Sequence, residues 1–386
     1  MRRSRSLTLV ALAAVTLLVV GASWPAASSS GARAPRAGVA GPRYGHIVRV
    51  APSTLMILGR ALDVARGQAD IGNAILYRRG ETLYIIDTGA TTSFRPFLRR
   101  AIHRLQPFRN VVLINSHGHP DHTGNNSIVT KVAGACHWRY YMSRRDYSIV
   151  DNLNGWLLRA FREISGYVPG FDHPVSQTRQ LLKLFEPQHS LRGGRRAIET
   201  LPQRTIRIGR LRMRGWVLGG GGVDVLPTRG HTPGSLSFYF PRIGLLHMAD
   251  ELNSYYPAFP EANPRRIRTV FGLALKAAAG NDVRLLTDGH TFSVIRGARH
   301  VRTRLRSYIA GYDAMDRLFR RWLASPGGVT VSELIDRMAK APQLQDKPGG
   351  SDFGAFTGAM VALKKLKQLG ATSTSGPRAD RRFRLP

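Results

Sequence analysis

His117-Gly118-His119-Pro120-Asp121-His122 places three imidazoles and a carboxylate within six consecutive residues. Neutral imidazole nitrogens and carboxylate oxygens are the donors a borderline divalent cation prefers. A turn this dense in them reads as the floor of a metal site rather than as a solvated polar turn. With 12 His and 17 Asp in 386 residues, chance would place this set at this spacing in about one chain in two thousand. Just before it, Val111-Val112-Leu113-Ile114-Asn115 is a β-branched apolar run that breaks at Ser116 and Gly118. The donors therefore follow the end of a buried strand, where open α/β folds place their sites. Within the turn, His117 and His119 are expected to face one cation, and Asp121 and His122 a second.

One turn cannot close two metal sites, and three further strand ends present matching donors. Asp224-Val225-Leu226-Pro227-Thr228 runs into Gly230-His231-Thr232-Pro233-Gly234. Ile243 to Ala249 runs into Asp250-Glu251, and Val283-Arg284-Leu285-Leu286-Thr287 runs into Asp288-Gly289-His290. A single His or Asp after a strand is usually a cap or a satisfied polar group. Four such strand ends together are the stronger signal.

With these residues in place the chain resembles the metallo-β-lactamase superfamily over roughly residues 45–300, and Leu83-Tyr84-Ile85-Ile86-Asp87-Thr88-Gly89 looks like that family's Asp-Thr-Gly strand end. The resemblance implies an α/β fold, a four-layer αβ/βα sandwich, here with a helical C-terminal appendage. It implies that His117, His119 and His231 hold one metal, that Asp121, His122 and His290 hold the other, and that Asp250 bridges them. Asp87 would brace the His turn by hydrogen bonds. A bridging Asp250 is closer to the hydroxyacylglutathione hydrolases and lactonases than to an ordinary secreted β-lactamase. The donor chemistry points to two zinc ions per chain, with iron or manganese as alternatives, because no thiolate is offered. Two such ions can share a bridging water and lower its pKa toward ~7. Asp121 could orient that water, so Asp121 and Asp250 are the expected catalytic carboxylates.

Arg2, Arg3 and Arg5 followed by the uncharged run Leu7 to Ala22 read as a secretory signal with a small-residue cleavage site at Val20-Gly21-Ala22. An uncleaved anchor is the weaker reading, since the run falls short of the ~20 residues that span a bilayer. Export to the periplasm, cell surface or medium is expected. Residues 23–43, rich in Ala, Ser, Gly, Pro and Arg, read as a tether, and the catalytic domain as residues 44–300. Residues 145–205 read as a helical insertion whose aromatics, Tyr167 and Phe171 among them, could line a substrate pocket although most are core, and residues 301–386 as a helical tail resembling a winged helix. Tyr255, Tyr256 and Phe259, close behind Asp250, are candidates to touch substrate. Cys136, the one cysteine, reads as a buried core residue, and His247 as a sheet residue rather than a ligand.

The formal net charge of +33 comes from 57 Lys+Arg against 24 Asp+Glu. Such a field attracts anionic envelope polymers or lipids, although arginines scattered over a solvated surface are the favoured reading. Specific nucleic-acid binding is not expected of an exported chain. The expected function is metal-dependent hydrolysis of an ester, thioester, lactone or β-lactam in a small-molecule substrate. A phosphodiesterase or nuclease with the same ligands, and a non-catalytic polyanion-binding envelope protein, are the alternatives. The complete donor set argues against the last.

Overall fold

Seven strands form the first sheet in chain order: β1 (Ile47–Ala51), β2 (Thr54–Ile57), β3 (Ala74–Arg79), β4 (Thr82–Ile86), β5 (Asn110–Ile114), β6 (His137–Met142) and β7 (Arg195–Ala197). Seven more form the second: β8 (Arg204–Ile208), β9 (Leu211–Leu218), β10 (Val223–Pro227), β11 (Leu236–Phe240), β12 (Leu245–His247), β13 (Leu285–Thr287) and β14 (Ile295–Arg296). This computed structural model describes residues 44–386 apart from 64–65, 133–136, 186–190, 192, 254–255, 257–258 and 346–354. The expected signal segment, its tether, Cys136 and Tyr255 lie outside the described residues.

Alternation along single strands assigns the layers, because successive side chains point to opposite faces. In β4, Tyr84 and Ile86 enter the core between the sheets, where they meet Trp216, Phe238 and Phe240 of the second sheet. Leu83 and Ile85 of the same strand face outward onto Phe94, Leu98 and Ile102 of the helix Thr91–Arg104. In the second sheet Val223 and Val225 point inward, while Leu226, Tyr239 and Leu246 pack outward against the helices Pro264–Ala277 and Ala298–Leu323. The result is the helix–sheet–sheet–helix sandwich expected from the sequence. At ~25 cal/mol per Å² of apolar area removed from water, burial on both faces of both sheets is the main term holding the layers together.

Strand direction then gathers the site. β4, β5, β6 and β7 pair in parallel, as do β12 and β13. Parallel neighbours end on the same edge, so Asp87 after β4 and the His turn after β5 emerge side by side.

The segment read as a helical insertion is helical only in part. Its helices Leu153–Ile164 and Pro174–Phe185 are followed by β7, which pairs with β6 through Tyr140–Arg195, Tyr141–Arg196 and Met142–Ala197. Three residues, Arg195-Arg196-Ala197, carry no readable apolar alternation; the strand exists because β6 offers an open edge.

The C-terminal region is helical, with helices Ala298–Leu323, Val331–Lys340 and Ala355–Leu369. The second starts at Val331, capped by Thr330 and Glu333 in a reciprocal capping box, and Val329 just before it bridges to Phe383. A two-stranded pair, Thr372–Ser373 with Phe383–Arg384, closes the tail. Met315, Phe319, Leu334, Met338 and Met360 share one core with the outer face of the second sheet, so the tail packs directly on the sandwich. Among the described residues no helix is long and apolar enough to cross a membrane.

Candidate metal centre

Strand ends build the centre. The His turn follows β5, and Pro120 opens the one-turn helix Pro120–Thr123, its fixed φ suited to a first helical position. That turn points His117 and His119 to one side and Asp121 and His122 to the other. His231 follows β10, Asp250 follows β12, and His290 follows β13. All seven predicted donors come together in two groups, buried but for the partly exposed His290, with His117, His119 and His231 in one and Asp121, His122, Asp250 and His290 in the other, and with the donor atoms of each group within 4.8 Å of one another.

The spacing fits a cation. Donors ~2.0–2.1 Å from zinc in a tetrahedron stand about 3.3 Å apart. In the first group His119 Nδ1 lies 3.0 Å from His231 Nε2, and His117 Nε2 is buried with no hydrogen-bond partner. In the second, His122 Nε2 is 3.1 Å from Asp121 Oδ2 and 3.3 Å from His290 Nε2, and His290 Nε2 is 3.1 Å from Asp121 Oδ2. Asp250 stands between the groups: its Oδ2 is 3.2 Å from His290 Nε2, 3.6 Å from His231 Nε2 and 3.8 Å from His117 Nε2. A buried imidazole nitrogen without a donor or acceptor is costly unless something binds it. The residues of each group fit a metal ion, and Asp250 lies within reach of both groups.

A ring of carboxylates orients these donors from behind. Asp87 Oδ2 lies 2.8 Å from His122 Nδ1, and Asp87 also accepts from the Ser116 amide at 2.7 Å and the Ser116 hydroxyl at 2.6 Å. Ser116 Oγ in turn is 2.9 Å from His117 Nδ1, so one carboxylate holds both rings with Nε2 turned inward. Asp146 accepts from the Gly118 and Gly234 amides at 3.0 and 2.8 Å and from the Thr232 hydroxyl, tying the His turn to the His231 loop. Glu251 accepts from the Gly230 and His231 amides at 2.8 and 3.1 Å, and Asp288 from the His290 amide at 2.9 Å. Glu261 Oε1 lies 2.7 Å from His119 Nε2. With Asp70, 3.3 Å from His290 Nδ1, eight of the chain's 24 acidic residues (Asp70, Asp87, Asp121, Asp146, Asp250, Glu251, Glu261 and Asp288) gather here. In a chain this basic, that concentration of negative charge is what two dications would balance.

Proton affinities follow from burial and these neighbours. Burial, helped by His122, holds His117 well below the usual imidazole range, and burial takes His231 down to about 4, leaving both rings neutral with lone pairs free. Burial alone would raise Asp121 and Asp250, but the imidazoles around them, His122 first, outweigh it and hold both well below the usual carboxylate range. Burial would likewise lower His122 and His290; Asp250 and the other carboxylates outweigh it and hold them well above the usual range. Protons on these two rings would compensate the carboxylates, and a cation held by the second group would take their place. Burial also pushes Asp146 up to about 6 and Glu251 up to about 7.

Two glycines let backbone approach the donors. A Cβ on Gly72 would stand 2.5 Å from His122 Cε1, and one on Gly289 would stand 2.0 Å from Asp250 Oδ1. Beside the first group, the His119 ring meets Trp156 at 4.6 Å and Phe259 at 4.8 Å between centroids. Of the aromatics expected near substrate, Phe259 is therefore at the site. Tyr256 is buried against the tail, hydrogen-bonded to Gln368 at 3.0 Å, and Phe171 packs between Phe161 and Phe356. His247 is a sheet residue as expected, fully buried, stacked on Phe238 and 3.0 Å from Thr287 Oγ1. A cleft of about 600 Å³ lined by Arg49, Arg78 and Arg104 lies at the edge of the first sheet and shares no residue with the centre.

A sandwich of two sheets with a buried His/Asp centre on the edge where β4 and β5 end defines a small class of α/β proteins. This chain belongs to the metallo-beta-lactamase superfamily, whose family model matches residues 67–290. Its fold is similar to that of a beta-lactamase domain protein from Burkholderia ambifaria, at 20% identity and a TM-score of 0.58 over 89% of this chain and 95% of that one. It is also similar to a metallo-beta-lactamase family protein from Thermus thermophilus, at 18% identity and a TM-score of 0.54 over 88% of this chain and 100% of that one. The sec-alkylsulfatase Pisa1 from a Pseudomonas species shares the fold at 17% identity and a TM-score of 0.53, over 84% of this chain but 50% of that one. No curated protein matches the chain.

Residue-by-residue reading of the sequence finds the seven donors and Asp87 but not Asp146, Glu251, Glu261, Asp288 or Trp156. A shared signal exists for some of them: acidic residues are scarce in this chain, so those near a strand-end His stand out. The direct neighbours Glu251 and Asp288 carry it, whereas Glu261 and Trp156 reach the centre only through the tertiary fold.

Proposed function

We propose that this protein is an exported hydrolase that uses two divalent cations, zinc foremost, to cleave an ester, thioester, lactone or β-lactam. One observation carries the reading: Asp250 Oδ2 lies within 3.8 Å of donors in both groups, so a single carboxylate reaches two cation positions. Bound there, the cations would supply a water of lowered pKa and polarise the bond under attack. The chain supplies the rest. Asp121, 11% exposed at its side chain, is the carboxylate on the solvent side of the second group and is placed to accept a hydrogen bond from the attacking water and orient it. Trp156 and Phe259 offer an apolar wall beside the first group for the part of the substrate next to the scissile bond.

A phosphodiester or sulfate ester is the second reading, supported by the charge of +33 and by the fold likeness to an alkylsulfatase. The local charge favours the first. Among the described residues no arginine or lysine hydrogen-bonds or ion-pairs with any of the seven donors, and carboxylates surround them. The discriminating experiment is hydrolysis by zinc-loaded protein across carboxyl-ester, thioester, lactone, β-lactam, phosphodiester and sulfate-ester panels. Turnover confined to the carboxyl-type panels is expected; turnover confined to phosphodiesters or sulfate esters would contradict the reading.

A further inference from the structure

We infer that Glu261 is a positioning residue that sets the ring of His119 and the indole of Trp156 with one oxygen, and so couples the first donor group to the apolar wall beside it. This rests on reading His117, His119 and His231 as a metal-binding group. Glu261 Oε1 lies 2.7 Å from His119 Nε2 and accepts from Trp156 Nε1 at 2.9 Å. Because an ionised carboxylate only accepts, the shared proton sits on His119 Nε2. Nδ1 is then left with a free lone pair, and Nδ1 is the atom 3.0 Å from His231 Nε2. Without Glu261 nothing in the described contacts of His119 Nε2 selects that tautomer, and the ring is free to present the wrong nitrogen.

The second bond fixes Trp156, whose ring packs 4.6 Å from His119 and 5.4 Å from Phe259. Trp156 belongs to the helix Leu153–Ile164, Glu261 to the loop that follows Asp250, and His119 to the turn after β5. One oxygen thus joins three segments far apart in the chain. The loop carrying it is itself anchored: the Asn263 amide donates to the Gly230 carbonyl at 2.9 Å, one residue before His231, and Lys364 Nζ donates to the Ala262 carbonyl at 3.1 Å. A side chain held this firmly, with its oxygen shared by a donor ring and a wall residue, acts on both at once.

The test compares Glu261→Ala, Glu261→Gln and Trp156→Phe by two readouts that need no substrate. The first is the imidazole ¹⁵N spectrum of the metal-free protein, with His119 assigned by difference from His119→Gln. The second is zinc affinity measured by competition with a chelator. Wild type should show His119 protonated at Nε2, and Glu261→Ala should lose that preference and bind zinc at the His117, His119 and His231 group about 10–100-fold less tightly. Glu261→Gln keeps an oxygen that can accept both N–H groups, and should restore the tautomer and bring affinity to within about threefold of wild type. Trp156→Phe leaves the His119 bond intact and should hold affinity within about twofold. If Glu261→Ala does not fold, Glu261→Asp, whose oxygen is drawn back by one methylene, should reproduce its losses. An unchanged tautomer and affinity in Glu261→Ala, or equal losses in Ala and Gln, would overturn the inference. If wild type bound no zinc the metal reading would fail, and the tautomer in the metal-free protein would still decide the role of Glu261.

Discussion

Asp250 Oδ2 and His290 Nε2 lie 3.2 Å apart, which joins the carboxylate after β12 to the imidazole after β13 across a parallel strand pair. The same oxygen faces the first donor group, so Asp250 is the one residue whose loss separates the two cation positions. Asp250→Ala should leave His117, His119 and His231 able to hold one ion, since three imidazoles form a sufficient set. The second ion should be lost, and turnover should fall by on the order of a hundredfold or more. Elemental analysis alongside steady-state rates checks both. Retention of two ions, or full activity, would refute the bridging role.

Asp87 tests the support behind the donors. Asp87→Ala removes the acceptor for the Ser116 amide, the Ser116 hydroxyl and His122 Nδ1, all fully or nearly fully buried. Unpaired buried donors cost ~1–3 kcal/mol each before relaxation, so metal-free protein should lose ~2–4 kcal/mol of stability. A urea midpoint shift with unchanged slope is the expected measurement, and a loss under ~0.5 kcal/mol would show that water replaces Asp87.

Close backbone approach makes Gly72 a sensitive position. The added methyl of Gly72→Ala would meet the His122 ring at 2.5 Å, and that ring is held from behind by Asp87. Affinity for the second ion should drop about tenfold or more, in the range seen when ligand orientation is disturbed. The first ion should stay. Isothermal titration resolving two binding steps would show it, and equal weakening of both steps would point to general unfolding instead.

Asp224 lies on β10, outside the centre, and burial pushes its carboxyl up to about 6. Below about pH 4 the group is protonated in folded and unfolded chains alike, and its contribution to stability is fully present. As pH rises through about 6 the folded state must ionise a half-buried carboxyl, so that contribution is lost. Asp224→Asn cannot ionise. Its thermal midpoint should therefore rise relative to wild type above pH 6 and match it near pH 4, while turnover stays near wild type. A midpoint difference independent of pH would assign the effect to packing.

The donors are legible in the sequence because each closely follows an apolar run, and a strand end is a local pattern that needs no tertiary information. Asp87 can be read for the same reason. Glu261 and Trp156 cannot: the first lies in the aromatic loop beyond Asp250, the second lies on a helix, and only packing brings both onto His119. β7 falls within the stretch that reads as helical because three residues, two of them arginine, hold no period, and the sheet edge alone makes them a strand. The tail reads as an appendage, but Met315, Phe319 and Met360 complete the same core as Leu226 and Leu246. Apolar spacing along a helix shows which face is buried and is silent on what buries it.

The most direct measurement is the number of divalent ions held by the folded protein after purification without chelator and loading with zinc. Two donor groups sharing Asp250 predict about two ions per chain, falling to about one in Asp250→Ala. One ion or none in the intact protein would contradict the dinuclear account.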